Sequence, residues 1–167
     1  MILSRLKNKN NLSLFIIIIS VFIIQFLFLD FSNINLNEPI VYAGGDNIVH
    51  FYYIKAYIKK ELLLNLNLSA PNFLNLNDYP IMLGEQFHFY VYKFFNFLFK
   101  NNHFFIINLY FLLKFYIIAL ISYFALRKFS ITETSSIFGA LLFSFVPIAF
   151  YRFFGHFFLG IYFSIPL

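Results

Sequence analysis

Long apolar stretches and one polar region divide the chain. Residues 12–29 (LSLFIIIISVFIIQFLFL) carry no charge, residues 103–126 carry one lysine, and residues 135–151 carry none. At ~1.5 Å per residue, the first stretch approaches the ~30 Å hydrocarbon core of a bilayer. A further apolar stretch, residues 152–167, begins like another membrane helix and stops with the sequence. The pattern predicts an all-α, polytopic integral membrane protein with about three complete transmembrane helices and a truncated fourth.

The polar region, residues 30–102, is rich in asparagine and holds most of the acidic residues. Polar side chains recur here at ~100° per residue, which predicts amphipathic helices near residues 47–62 and 85–100. The first polar stripe combines Asp46, His50, Tyr53, Tyr57, Lys60 and Glu61, and the second combines Glu85, His88, Tyr92, Lys93, Asn96 and Lys100. An apolar face opposite such a stripe is typical of helices that lie in the membrane surface. We therefore predict two interfacial helices in this region.

Basic residues next to the apolar stretches predict the topology. Residues 1–11 contain Arg5, Lys7 and Lys9, and the 127–134 connection begins with Arg127 and Lys128. The positive-inside rule places both segments in the cytoplasm and residues 30–102 on the other side. A cleavable signal peptide is not expected, because no small-residue cleavage site follows residue 29.

Composition excludes several classes of protein. The chain is 61% hydrophobic and only 11% charged, whereas a soluble domain is about a quarter charged. The net charge of +5 comes with no basic run, so we expect the lysines to meet lipid phosphates and expect no nucleic acid as partner. The absence of cysteine excludes disulfides and thiolate metal sites.

Asp46 and His50 are the first candidates for chemistry. Asp46 follows two glycines in GGDNIVHFYY, so it suits a helix N-cap as well as a general base toward an attacking hydroxyl. His50 lies one turn further on the same stripe. The pair suits a metal or a mutual hydrogen bond, while a structural histidine is the competing interpretation.

A second group of candidates follows in LNLNDYPIMLGEQFH, residues 74–88. Asp78, Glu85 and His88 are close together here, where they suit either substrate or metal binding or the capping of the second interfacial helix. His156, in the last apolar stretch, is a further candidate. Lys114 lies in the middle of a predicted span, where charges usually face a protein interior or a water-filled path.

These segments resemble the N-terminal part of GT-C type membrane glycosyltransferases. GGDNIVHFYYIKAYIKK is similar to the acidic start of the first external loop in that family. LNDYPIMLGEQFHFYVYKFFNFLF is similar to a later segment of the loop, with Gly84 displaced, and RFFGHFFLGIYFSIPL is similar to the segment after the third span.

The resemblance implies a function for the chain. Asp46 matches the catalytic acid of the first loop, which acts as base toward the acceptor, and His50 matches its companion. The donor would be a polyprenyl-phosphate-linked sugar, with a divalent cation such as Mg²⁺ or Mn²⁺, or basic side chains, helping the phosphate to leave. The location would be a bacterial inner membrane. Family members run several hundred residues further, so the resemblance implies an N-terminal fragment that is inactive without its missing C-terminal part.

Two other interpretations stay open at this point. Lys114 favours a non-enzymatic membrane protein, such as a transporter or flippase fragment or a small membrane-complex subunit. A decayed gene product without activity is the third interpretation. The metal ligands, the sugar and the acceptor are unknown from the sequence.

Overall fold

The computed structural model describes residues 2–29, 34–38, 40, 86–99 and 102–147, and these residues form helices and no strand. The helices are α1 (Ile2–Phe28), α2 (Gln86–Phe99), α3 (His103–Lys128) and α4 (Glu133–Ser144). The predicted all-α class is thus confirmed for the described part of the chain. The predicted helix near residues 47–62 and the start of a fourth span at residues 152–167 lie outside it.

The chain divides into two compact units. The first consists of residues 1–34, 111–153 and 159–167, and the second of residues 35–110 and 154–158. Helix α3 contributes to both, because the boundary falls between Tyr110 and Phe111. The first unit therefore contains α1, most of α3 and α4, and the second contains α2 and the start of α3.

Within the part of the chain that the structure describes, two helices are long and apolar enough to cross a membrane: α1, over residues Asn11–Phe28, and α3, over residues His103–Lys128. These segments agree with the first two predicted spans. At ~1.5 Å per residue, the 26 residues of α3 extend about 39 Å. Length and composition alone would also fit a core helix of a soluble protein, so the surroundings of the side chains matter.

Helix α1 turns its polar side chains inward and its large apolar side chains outward. Ser13, Ile17, Val21 and Gln25 are buried at intervals of four residues, and the two polar members are 2% exposed. Apart from Asn11, the side chains of residues 11–28 that are exposed are large and apolar, namely Leu12, Phe15, Ile16, Ile18, Ile19, Phe22, Ile23, Phe26, Leu27 and Phe28. Water penalises such a surface, whereas hydrocarbon accepts it. This arrangement favours lipid rather than water around α1.

Both buried polar residues of α1 form hydrogen bonds inside the first unit. Ser13 Oγ donates to the carboxylate of Glu133, the first residue of α4. Gln25 Nε2 donates to the main-chain carbonyl of Leu112 at 2.8 Å. Such bonds hold membrane helices together, because apolar side chains gain little from leaving lipid for a protein interior.

A compact turn connects α3 to α4. Ile131 N donates to Leu126 O at 3.3 Å and Ser130 N donates to Arg127 O at 3.1 Å, the bond pattern of a Schellman motif. Ser130 occupies the left-handed position of this motif with φ 60°. Arg127, in the last turn of α3, donates to Ile131 O and complements the helix dipole.

Helix α4 is shorter than the third predicted span at residues 135–151, which is not confirmed. Thr132 caps the helix by accepting from Ser135 N at 3.4 Å, and the helix ends at Ser144 after 12 residues, about 18 Å. Pro147 follows closely, and a proline disfavours helical geometry at the residue before it and lacks an N–H of its own. The sequence stays apolar after Ser144, but residues 145–147 are not helical.

Helix α4 packs on α1 through small side chains. Its buried residues are Ser136, Ala140 and Ser144. A β-carbon at Gly139 would lie 2.9 Å from Leu126 Cδ1, the end of a flexible side chain of α3. Small side chains let helices approach closely.

In the second unit, asparagine side chains attach residues 35–40 to the start of α3. Asn108, which is fully buried, donates through Nδ2 to Leu36 O at 2.8 Å and to Glu38 O at 2.6 Å. Its Oδ1 accepts from Ile40 N at 3.4 Å. Asn102 Nδ2 donates to Asn37 Oδ1, and Asn102 Oδ1 caps α3 by accepting from Phe105 N at 3.1 Å.

We predict that Ser130→Gly stabilises the protein by about 0.5–1 kcal/mol, because glycine adopts a positive φ without the clash of a β-carbon. Ser130→Ala should change little, and Ser130→Val should destabilise, since a β-branched side chain tolerates this conformation poorly. Thermal unfolding of the purified protein in detergent, followed by circular dichroism, measures the order. A glycine variant that unfolds at a lower temperature than the wild type would contradict this account of the turn.

Candidate functional site

Most of the predicted site residues lie outside the described part of the chain. These are Asp46, His50, Asp78, Glu85 and His156. His88 is the candidate that the structure does describe, on the first turn of α2 in the second unit. The predicted grouping of acids and histidines thus stays a prediction, and the geometry begins with His88.

His88 is buried and forms a hydrogen bond with a tyrosine of α3. Its Nδ1 lies 2.7 Å from the hydroxyl oxygen of Tyr110, and the residue is 8% exposed. Burial lowers the pKa of His88 from 6.5 to about 4, because the charged imidazolium loses its hydration. The ring is therefore neutral at pH 7. Tyr110 donates to Nδ1 when the histidine proton is on Nε2, and it accepts from Nδ1 in the other tautomer.

Aromatic rings surround this hydrogen bond. Tyr92, one turn after His88 on α2, meets the ring of Tyr110 edge-on with centroids 5.1 Å apart, and it is fully buried. Phe95 approaches the same ring with centroids 6.2 Å apart. Edge-to-face aromatic contacts each add about 0.5–1.5 kcal/mol beyond burial. The rings hold α2 on the start of α3 and keep water from His88.

Helix α2 is thus polar toward the protein and apolar toward its surroundings. His88 and Tyr92, from the stripe recognised in the sequence, are buried, while Lys93 and Asn96 are half-buried. The exposed side chains on α2 are Tyr90, Phe94, Phe97, Leu98 and Phe99. The amphipathic pattern is present as predicted, but its polar arc packs inward. Position at a membrane surface stays a prediction for this helix.

The chemistry of this arrangement is hydrogen bonding without charge. A neutral imidazole beside a tyrosine hydroxyl donates or accepts one hydrogen bond through Nδ1, depending on the tautomer. Among the described residues, no group of three or more histidine and acidic side chains could hold a metal ion. The described part of the second unit thus offers a hydrogen-bonding histidine.

Lys114 is the second unusual polar residue, and it belongs to the first unit. Its side chain is fully buried on α3, and Nζ lies 4.5 Å from the ring centroid of Phe111 and 4.8 Å from that of Phe115. Phe115 in turn stacks on Phe145 with centroids 4.9 Å apart. Cation–π attraction stabilises an ammonium group that has lost its water. The lysine predicted to face a protein interior does so.

The structure also identifies polar residues to which the sequence analysis gave no role. Asn108, Gln25 and Ser13 are buried within stretches read simply as apolar spans. Their signal was present in the sequence, because a carboxamide in such a window has to find a partner or leave an unsatisfied group in hydrocarbon. The abundance of asparagine elsewhere in the chain masked it.

We predict that His88 lowers the stability of the protein in mild acid. Its folded pKa of about 4 lies below the unfolded value, so the unfolded state binds more protons between these values. The free energy of unfolding is therefore unaffected by the protonation of His88 above pH ~6.5. It falls as the pH is lowered toward 4, by at most about 3 kcal/mol. Thermal unfolding in detergent between pH 4 and 7.5 should show a flatter profile for His88→Gln.

Tyr110→Phe is the matched control for this experiment. It removes the hydroxyl but keeps the histidine buried, so it should lower stability at every pH and retain the slope of the wild type. If His88→Gln kept the full wild-type slope, burial of an uncharged His88 would be the wrong explanation.

Comparison of the chain with protein-family models, with curated proteins and with solved structures found no match in any of the three.

Proposed function

We propose that this chain is the N-terminal part of a membrane-embedded glycosyltransferase that takes its sugar from a polyprenyl-phosphate carrier. The acceptor is an envelope glycan, lipid or protein. The observation that carries the proposal is the inverted polarity of α1 and α2, with polar side chains buried and large apolar side chains exposed. A protein of this kind suits a lipid environment, where a lipid-linked donor is found.

The order of the segments supports the more specific part of the proposal. An apolar helix is followed by a polar region with an acid, then by an amphipathic helix directly before the next apolar helix. This order resembles that of GT-C glycosyltransferases, and residues 44–60 and 76–99 are similar to segments of their first loop. The proposal includes a third span at residues 135–151, a further helix from residue 152 and a cytoplasmic N-terminus in a bacterial inner membrane.

In the proposed reaction, Asp46 takes the proton from an acceptor hydroxyl. The hydroxyl oxygen forms a bond to the anomeric carbon as the bond between that carbon and the phosphate oxygen breaks, and polyprenyl phosphate leaves with the electron pair. A carboxylate within reach of the hydroxyl suits the role of general base. His50, Asp78, Glu85 and His156 are proposed to bind substrate or a divalent cation such as Mg²⁺ or Mn²⁺.

His88 has a narrower role in this proposal. Because burial lowers its pKa to about 4, it carries no positive charge at pH 7 and cannot neutralise the phosphate of the donor. Its proposed contribution is to hold α2 on the start of α3 through the hydrogen bond with Tyr110. The positive charge for a phosphate leaving group would come from a cation or from basic side chains elsewhere.

Lys114 favours a second candidate function. A lysine buried within an apolar helix, with phenylalanine rings on its amino group, resembles the charged positions that line transport paths in membranes. The alternative is therefore a non-enzymatic protein, such as a transporter, a flippase or a subunit of a membrane complex. Loss of transport without loss of glycosyl transfer in Lys114→Met would favour it.

The proposed topology predicts which side of the membrane each connection faces. The chain has no cysteine, so a single introduced cysteine is the only thiol of the protein that can be labelled. Ser69→Cys should react with a membrane-impermeant maleimide in intact spheroplasts, whereas Thr134→Cys, at an exposed position, should react only after lysis. The reverse labelling would show that the orientation is wrong, and labelling of both sites in intact cells would reject the single span between them.

The catalytic assignment predicts that Asp46→Asn abolishes sugar transfer. Removing a general base lowers the rate by about 10²–10⁴-fold. The readout is release of polyprenyl phosphate from native lipid-linked sugars in membranes, measured by mass spectrometry, which requires no knowledge of the sugar. Asp30→Asn is the matched control, because it removes an acid from the same region and should leave release unchanged. Equal release by Asp46→Asn and the wild type would refute the assignment.

A further inference from the structure

The turn between α3 and α4 exposes two cations followed by an aromatic ring. Arg127 and Lys128, in the last turn of α3, are exposed, and Phe129 directly after them is 77% exposed. No large apolar side chain in the described part of the chain is more exposed than Phe129. These three side chains form the turn surface. A single exposed ring is ordinary on a protein, so the meaning of this one depends on the charges and helices around it.

The two cations of the turn surface are not neutralised by an ion pair. Arg127 donates to the main-chain carbonyl of Ile131, which holds the guanidinium at the turn and leaves its charge uncompensated. Within the described part of the chain, neither Arg127 nor Lys128 pairs with a carboxylate. The acid that follows in the sequence, Glu133, is half-buried and accepts from Ser13 of α1. The turn surface therefore presents two positive charges.

The turn surface lies where the apolar parts of three helices end. The bond between Ser13 and Glu133 brings α1 to the start of α4. The long apolar window of α1 begins at Asn11, only two residues before Ser13. Helix α3 ends at Lys128, and residues 129–132 alone separate it from α4. The polar limits of α1, α3 and α4 therefore coincide at this end of the first unit.

The length of α3 places this end in the headgroup layer of a bilayer. The helix is about 39 Å long, whereas the hydrocarbon core is ~30 Å thick. Shared equally between the two ends, the excess of ~9 Å brings about three residues at each end, here 126–128, out of the hydrocarbon. Guanidinium groups bind phosphates through parallel hydrogen bonds, and each cation near an anionic surface raises the affinity about fivefold. Both cations therefore suit lipid phosphates.

We propose that the turn surface docks anionic phospholipids, with Arg127 and Lys128 on the phosphates and the ring of Phe129 among the upper parts of the acyl chains. The occupant follows from charge complementarity, because the two cations are exposed without a carboxylate partner at the polar limit of three apolar helices. Beside them, the exposed ring of Phe129 gains from leaving water. The proposal rests on the membrane location within the proposed function, but not on glycosyl transfer.

A single tryptophan tests this contact directly. The chain has no tryptophan, so Phe129→Trp in the full-length protein places one indole in the turn surface, and it can be excited selectively over the tyrosines. The vesicles contain phosphatidylglycerol and phosphatidylcholine in equal amounts, with bromine, a contact quencher, on the chains of either the anionic or the zwitterionic lipid. The association constant at the indole should be at least threefold higher for phosphatidylglycerol. Equal quenching by the two brominated lipids, or none, would overturn the proposal.

Phe28→Trp is the matched control in the same unit. Phe28, at the other end of α1, is 76% exposed, and no lysine or arginine occurs in residues 10–54. Its indole should be quenched equally by both brominated lipids. Quenching there with none at Phe129→Trp would reject the turn surface and keep the membrane location. Absence of quenching at both indoles would reject the membrane location and the turn surface together.

The source of the preference is tested by removing the two charges. Arg127→Gln with Lys128→Gln, in the Phe129→Trp protein, should bring the ratio of association constants down to that of Phe28→Trp, while brominated phosphatidylcholine should still quench. Raising the salt concentration from about 20 mM to about 500 mM should lower the ratio without any substitution at the cations, because salt screens exposed charges. A preference for phosphatidylglycerol that survives both changes does not come from these side chains and would overturn the proposal.

Discussion

A buried polar side chain loses water as a hydrogen-bond partner, and this constraint accounts for the best-defined contacts in both units. In the long apolar helices, several such side chains find a partner within the protein. Ser13 and Gln25 do so from α1, toward Glu133 and the carbonyl of Leu112. Asn108 does so from α3 with three main-chain groups. Specificity of helix packing thus comes from a few buried amides and hydroxyls, while the abundant phenylalanine and isoleucine side chains mainly provide an apolar exterior.

Lys114 and His88 show two ways of keeping an ionisable side chain in such surroundings. Phenylalanine rings stand close to the amino group of Lys114 and attract a positive charge. His88 instead is neutral at pH 7 and hydrogen-bonded to Tyr110, so no charge has to be stabilised.

The sequence predicted the long helices well, because eighteen or more apolar residues have few alternatives to a helix in a membrane. It could not predict where α4 ends, because apolar residues continue through Pro147 whereas the helix ends at Ser144. Periodicity located the amphipathic stretch of α2. It could not show that the polar face packs on the protein, because that depends on a neighbour from another helix, such as Tyr110. The contacts of Asn108 depend on residues about seventy positions away, beyond any local pattern. Of the candidate site, only the surroundings of His88 lie within the described residues.

The short connection between α3 and α4 has a consequence for biogenesis. Residues 129–132 alone separate the two helices, and the left-handed Ser130 reverses the chain within them. A helix of 12 residues, as α4 is, buries too few apolar groups to partition into a bilayer independently. In the proposed membrane protein, α3 and α4 would enter the lipid as a hairpin, with the longer helix carrying the shorter one, because the turn that joins them is formed as soon as α3 is complete.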